Sequence, residues 1–186
     1  MKNILVTGGA GYIGSVICNF FLKKNFNVFI IDNLSRGHKK LINNKSIFFK
    51  LDLNNKKKVR KIIVKYKIDT IIHMAALIRV DESIKHPQRY NLNNVAATKS
   101  LIYAAKETFV KRIIFSSSCS IYGKLYKNKI SENDKTFPLS PYGISKLKAE
   151  KIIKKLCNKF KINNVILRYF NVVGAQIKIK PFSGQI

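Results

Sequence analysis

Seven residues near the start of the chain, Gly8-Gly9-Ala10-Gly11-Tyr12-Ile13-Gly14, sit between an apolar run at 3–6 and an amphipathic segment at 12–24. Strand, glycine turn and helix in that order let backbone N–H groups and a helix N-terminus approach a pyrophosphate. Gly8, Gly11 and Gly14 are the key positions, spaced more widely than in the commonest dinucleotide fingerprint. A glycine run in this place also fits a tight strand–helix connection that holds no ligand. Asp32 adds a second signal, because it ends the next apolar run 18 residues beyond Gly14. A carboxylate there is placed to accept two hydrogen bonds from a ribose diol and to repel a 2′-phosphate, favouring NAD over NADP. Arg36, four residues on, softens that preference. The alternative for Asp32 is a turn residue ahead of Asn33.

Short apolar runs and longer amphipathic segments alternate along the rest of the chain. Strands are expected at 3–6, 27–32, 46–52, 69–75, 111–116 and 164–168, and helices at 12–24, 56–67, 92–107 and 141–159. The 92–107 segment offers Val95, Ala96, Leu101, Ile102 and Ala105 for burial, and Ser140-Pro141 is a cap followed by the proline favoured at a first helical position. The stretch from 76 through Pro87 reads as irregular. Alternation of this kind predicts an α/β fold, a Rossmann-like doubly wound parallel sheet with helices on both faces. The tail from Gly174 has no continuing pattern.

Composition narrows the remaining classes. The 186 residues are 46% hydrophobic, enough for a core and against wholesale disorder. No run approaches the roughly 18 apolar residues of a membrane span, and the first apolar run is too short for a signal peptide. Cys18, Cys119 and Cys157 are too few and scattered for a disulfide framework, and the expected location is the cytoplasm. A formal charge of +27 invites a nucleic-acid reading. However, the cations are nearly all Lys, spread along the chain among Asn and Ile, with no basic stripe, interleaved aromatics or zinc-finger spacing. Neither a specific nucleic-acid partner nor a metal site is expected; His73 reads as a buried strand residue, and His38 and His86 as loop residues.

A second constellation lies at Tyr142-Gly143-Ile144-Ser145-Lys146. Residues four apart share a helix face, so the Tyr142 hydroxyl and the Lys146 ammonium can share a site. A nearby cation would lower the phenol pKa and make it usable as a general base. Taken alone, such a pair is most often a surface pair. Ser116-Ser117-Ser118 at the end of the fifth strand raises its significance, because ligands of open parallel sheets bind beyond that edge. Without the glycine loop, backbone capping at a strand end would be the better reading of these serines.

Gly8–Gly14, Asp32-Asn33-Leu34, Asp52-Leu53, Ala75-Ala76, Asn93-Asn94-Val95, Ser116–Gly123, Ser140–Lys146 and 167–175 occur in the order found in one family. Over essentially residues 1–175 the chain resembles the extended short-chain dehydrogenase/reductases, and among them the nucleotide-sugar 4-epimerases. The resemblance implies that Tyr12 and Ile13 pack over the NAD pyrophosphate, and that Asp32, Asn33, Leu34, Ser35, Arg36 and Gly37 surround the adenosine ribose. Asp52 and Leu53 would hold the adenine. Met74, Ala75, Ala76, Leu77 and Ile78 would line the nicotinamide side, with Asn93 and Phe170 beside the cofactor. Ser118 and Tyr142 would face the sugar, Lys146 would bind the nicotinamide ribose and tune Tyr142, and Asn171 would touch the nucleotide-sugar phosphates.

The implied reaction is epimerisation of a UDP-hexose such as UDP-galactose or UDP-glucose. Tyr142 would take the C4 hydroxyl proton as hydride passes to NAD, the 4-keto sugar would turn over, and hydride would return to its other face. Related dehydratases carry an Asp-Glu pair after the strand-5 hydroxyl residue; Cys119-Ser120 stands here, which favours epimerisation, with Cys119 as a small buried filler. Family members also carry a C-terminal substrate portion, of which residues 176–186 would be the start. A homodimer, a complementing C-terminal chain, another NDP-sugar substrate, or an NAD-binding module without turnover all stay open at this point.

Overall fold

The computed structural model describes residues 2–124 and 129–174. Six parallel strands form one sheet: β1 (Asn3–Thr7), β2 (Asn27–Asp32), β3 (Ile47–Lys50), β4 (Thr70–His73), β5 (Arg112–Ser118) and β6 (Asn163–Tyr169), in the spatial order β3-β2-β1-β4-β5-β6. The order reverses between β1 and β4, the place where doubly wound sheets open a ligand crevice. β1 is buried on both faces because side chains alternate along a strand. Leu5 joins Phe29, Ile31, Ile71, Ile113 and Phe115 in one core cluster, whereas Ile4 and Val6 join Val28, Ile30 and Ile72 in the other.

Helices α1 (Tyr12–Lys23), α2 (Lys56–Lys65), α5 (Ala97–Ala105) and α6 (Pro141–Phe160) cover the sheet. Cys18 of α1 enters the second cluster, while Val59 and Ile63 of α2, Leu101 and Ile102 of α5, and Ile153 of α6 enter the first. Lysines other than Lys146 take the outer faces. α6 starts where expected: the Ser140 hydroxyl accepts from Gly143 N–H at 3.1 Å, and Pro141 occupies the first turn. Such a cap contributes about 1 kcal/mol.

Two departures from the expected pattern bear on the site. The stretch expected to be irregular folds into α3 (Val80–Lys85) and α4 (Pro87–Tyr90), which runs into a π-helical segment, Asn91–Ala96, ahead of α5. Helices of six and four residues are too short to show a period, and Pro87 opens α4 rather than breaking a chain of loops. β5 runs on to Ser118, since β6 pairs with it as far as Ser118 and Tyr169. The three serines therefore belong to the sheet. Residues 176–186, expected to begin a further portion, lie outside the described residues.

β6 is tied to α6 by one buried ion pair. Arg168 donates through Nε and Nη2 to the two oxygens of Glu150 at 3.1 and 3.0 Å, and Glu150 is only 2% exposed. Ser117 adds a hydroxyl bond to Glu150 at 2.5 Å, and Arg168 Nη1 reaches the Tyr122 hydroxyl at 2.7 Å. Removing one member leaves its partner unpaired at low dielectric. Glu150→Ala is therefore expected to cost about 2–4 kcal/mol, and Glu150→Gln less. The check is the urea midpoint of each variant at constant m-value.

Candidate active site

The glycine turn is shaped by close backbone approach. Gly8 has φ +72°, and a Cβ there would stand 2.7 Å from the Ala75 nitrogen, while one on Gly14 would run into the Gly8 carbonyl. Gly11 N–H donates to that carbonyl at 3.1 Å. Gly11 is also the residue ahead of α1, and no side chain caps its first N–H groups. These donors point out of the carboxyl edge of the sheet, where an anion can take them. The cradle therefore fits a dinucleotide pyrophosphate.

Asp32, 9% exposed, accepts from Ala10 N–H at 3.1 Å and from Leu34 N–H at 2.8 Å. It makes the turn ahead of Asn33, with Leu34 at φ +60°, and also presents its carboxylate beside the glycine loop. The turn reading is thus met, and the carboxylate stands where the ribose reading needs it. Gly37 folds back over it: a Cβ there would lie 2.9 Å from the carboxylate. Asp52 is next in line. Partial burial pushes its carboxyl up, but bonds from Asn54 and from the Asn33 side chain at 3.0 Å bring it below the usual range. Leu53 is buried beside it.

Met74, Ala75, Ala76, Leu77 and Ile78 leave β4 along the other wall. Their anchor is Asn94, which accepts from Leu77 N–H at 2.8 Å and donates to Leu77 C=O at 2.9 Å and to the Ser145 hydroxyl at 3.0 Å. Asn93 donates to Asn94 at 3.0 Å, on the π-helical segment. Wide turns of this kind often mark functional positions. The role of Asn94 was not readable beforehand, although it adjoins Asn93 in a recognised motif.

Ser118 lies close enough to Tyr142 to pull its phenol down, while the Ser118 hydroxyl donates to Ser120 Oγ at 3.1 Å, and Lys146 lies one turn on from Tyr142. Lys146, 2% exposed, donates to the Ser116 carbonyl at 2.8 Å, with its nitrogen 5.1 Å from the Phe115 ring centre and 6.0 Å from that of Tyr142. One expectation is corrected here: the Tyr142 phenol is raised, not lowered. Burial outweighs the Ser118 contact, and the Lys146 ammonium, 6.0 Å from the Tyr142 ring centre, donates to the Ser116 carbonyl rather than to the phenol. Burial in turn lowers Lys146 to about 8, with Glu150 opposing. Cys119 is half-buried in a 3₁₀ turn instead of fully buried. Phe170 and Asn171 follow β6 at this same edge and are exposed.

His73 is structural, as expected. Thr98 spends its hydroxyl proton on Asn94 C=O at 2.6 Å, so it accepts from His73 Nε2 at 2.8 Å, which leaves Nδ1 to accept from Thr7 at 2.7 Å. Burial, then the Lys146 charge, lowers His73 to about 3, so it stays neutral. Among the described residues no His/Cys/Asp/Glu group could hold a metal, and no helix is long and apolar enough to cross a membrane.

A doubly wound parallel sheet with Tyr142 and Lys146 on one helix face against its fifth strand defines an enzyme class, the short-chain dehydrogenase/reductases. Residues 4–186 match the model of the NAD dependent epimerase/dehydratase family, and the chain belongs to that family. It is 41% identical over 172 residues to a UDP-glucose 4-epimerase of Halalkalibacterium halodurans, an alignment covering 92% of this chain and 51% of that protein. The crystal structure of UDP-glucose 4-epimerase from Brucella ovis in complex with NAD superposes with a TM-score of 0.91 at 36% identity, covering 95% of this chain and 54% of that one. The UDP-Glc/GlcNAc 4-epimerase of Campylobacter jejuni gives 0.89 at 38% identity, over 96% and 56%. The chain spans about half the length of the curated relatives it matches.

Lys146 is costly where it lies, because among the described residues it hydrogen-bonds to a neutral carbonyl and not to a carboxylate. Its folded pKa is depressed, so stability is lost as pH falls from the ordinary lysine pKa near 10.4 towards about 8. Lys146→Met is expected to stabilise the chain at neutral pH by about 1–3 kcal/mol, with the advantage shrinking as pH rises through that window. Denaturant titrations of both proteins at pH 7 and near pH 10 measure it.

Proposed function

We propose that this chain forms the dinucleotide-holding and proton-transfer half of an NAD-dependent UDP-hexose 4-epimerase acting on UDP-galactose and UDP-glucose. The observation that carries the reading is the placement of Ser118 beside Tyr142 with Lys146 one turn away, at the same edge as the glycine cradle. Gly8, Gly11, Tyr12, Ile13 and Gly14 would hold the pyrophosphate. Asp32 through Gly37 would hold the adenosine ribose, and Asp52 and Leu53 the adenine. Met74 through Ile78, with Asn93 and Phe170, would flank the nicotinamide. When bound, NAD supplies a reversible hydride acceptor.

The chain's own residues move one proton. Tyr142 Oη, as the phenolate, would take it from the sugar C4 hydroxyl and, as the phenol, return it, with Ser118 Oγ sharing it in between. Burial makes the phenol hold that proton more tightly, which favours taking it and opposes returning it. Lys146 supplies the positive charge that lets the phenol give it up, and Asn171 would meet the nucleotide phosphates. No carboxylate follows Ser118, so a 4-keto sugar formed here has no neighbouring acid–base pair to eliminate water. Free thiols at Cys18, Cys119 and Cys157 are in keeping with a reducing, cytoplasmic setting.

A second reading is a dinucleotide-binding module that turns over only with a complementing C-terminal chain or within a dimer. Which NDP-sugar is used rests on contacts from that portion. The test incubates the chain with NAD and UDP-galactose, alone and fused to the C-terminal portion of a relative. The fusion is expected to yield UDP-glucose and to lose about 100-fold or more in kcat on Tyr142→Phe. NAD binding without turnover in either form would leave only the module, and no NAD binding would sink both readings.

A further inference from the structure

Arg36 stands in the loop that wraps Asp32, and it is the side chain best placed in sequence to accept a 2′-phosphate and admit NADP. Its guanidinium is engaged elsewhere. Arg36 Nη2 donates to Glu82 Oε1 at 2.5 Å, across 46 positions of sequence, from the 32–37 loop to α3. The Glu82 side chain is 13% exposed against 49% for Arg36, so the carboxylate is the fixed member of the pair. It is further held by Arg89 at 2.8 Å, while the buried Tyr90 beside it gives its one hydroxyl proton to Arg79 C=O at 2.6 Å. α3 and α4 thus aim one shielded acid at the adenosine loop.

We propose that Glu82 is a specificity-determining positioning residue, holding Arg36 away from the ribose so that Asp32 alone sets the choice of NAD over NADP. The inference rests on the dinucleotide reading of the site. Glu82 itself need touch no cofactor. Its effect runs through a competition: a guanidinium whose Nη2 is drawn onto a carboxylate is not free to turn and fork onto a phosphate. Glu82 also keeps the loop's cation neutralised, leaving the Asp32 carboxylate as the charge a 2′-phosphate would meet.

The experiment measures NAD and NADP binding to the full chain by calorimetry, in wild type, Glu82→Gln, Arg36→Ala and the double variant, with circular dichroism confirming the fold. Glu82→Gln is expected to raise NADP affinity relative to NAD by about five- to tenfold, through a freed Arg–phosphate contact, and the double variant to lose that gain. Arg36→Ala in the wild-type background is expected to leave the ratio unchanged. A folded Glu82→Gln with the wild-type ratio would overturn the inference, as would a gain that survives removal of Arg36. Should Glu82→Gln fail to fold, Arg36→Ala decides: a fall in NADP affinity there means that Arg36 is already free, and the inference fails. NAD binding with an unaltered ratio rejects the role of Glu82 alone, whereas no binding of either dinucleotide to wild type rejects the site reading as well.

Discussion

Backbone lies against backbone where β1 gives way to α1, and the rest of the carboxyl edge hangs from that contact. A methyl group on Gly8 would collide with the Met74–Ala75 peptide, because that peptide passes directly over the turn. The approach lets the Thr7 hydroxyl meet both His73 and the Ala75 N–H, and lets Met74 N–H donate to Thr7 C=O. It sets the departure of the 74–78 segment, which Asn94 grips at Leu77 by both backbone groups. On its other side the turn offers Ala10 N–H to Asp32. One absent side chain therefore aligns the helix N-terminus, the acid of β2 and the wall that α6 packs behind.

The polar groups buried behind this edge form a linked set. Thr7, His73, Thr98 and Asn94 are joined by hydrogen bonds in sequence, and Asn94 continues to Ser145 on α6. Every buried side-chain nitrogen and oxygen among the described residues has a partner, which is what makes such a set tolerable at low dielectric. Lys146 is satisfied geometrically but not electrically, since its nearest oxygen is a neutral carbonyl. Glu150, one turn on, gives its oxygens to Arg168 and Ser117. The fold thus keeps a cation beside Tyr142 that another arrangement of the same residues would have neutralised, a stability cost of the kind that functional sites carry.

Most of the sheet was legible because β-strands buried on both faces announce themselves as short apolar runs, and β2 at Asn27–Asp32 was readable to the residue. The glycine turn and the Tyr142–Lys146 pair were legible because each is local. What could not be read is non-local or aperiodic. The short helices from Val80 to Tyr90 leave no period. The extension of β5 through Ser118 depends on pairing with β6 some fifty residues away. The raised phenol of Tyr142 depends on burial, and burial depends on Tyr90 and Leu77, which cluster with it in the fold but are remote in sequence. Spacing alone suggested that Lys146 would dominate the phenol; packing decided otherwise.

The charge imbalance acquires a use once the acids are located. Against 36 cations the chain has only nine carboxylates, so a carboxylate in this sequence rarely lacks an assignment. Asp32 binds backbone beside the glycine turn, Asp52 secures the Asn33 and Asn54 side chains, Glu82 gathers Arg36 and Arg89, and Glu150 locks β6 to α6. Surface lysines repel one another over distances comparable to the screening length, about 8–10 Å at physiological salt, and attract anions of every kind over the same range. They do so without regard to which anion arrives. Discrimination needs the opposite sign at a fixed point, and a buried or shielded carboxylate supplies it because solvent screens it least. In a chain so rich in lysine, the cations set the reach of the field and the few acids set its shape.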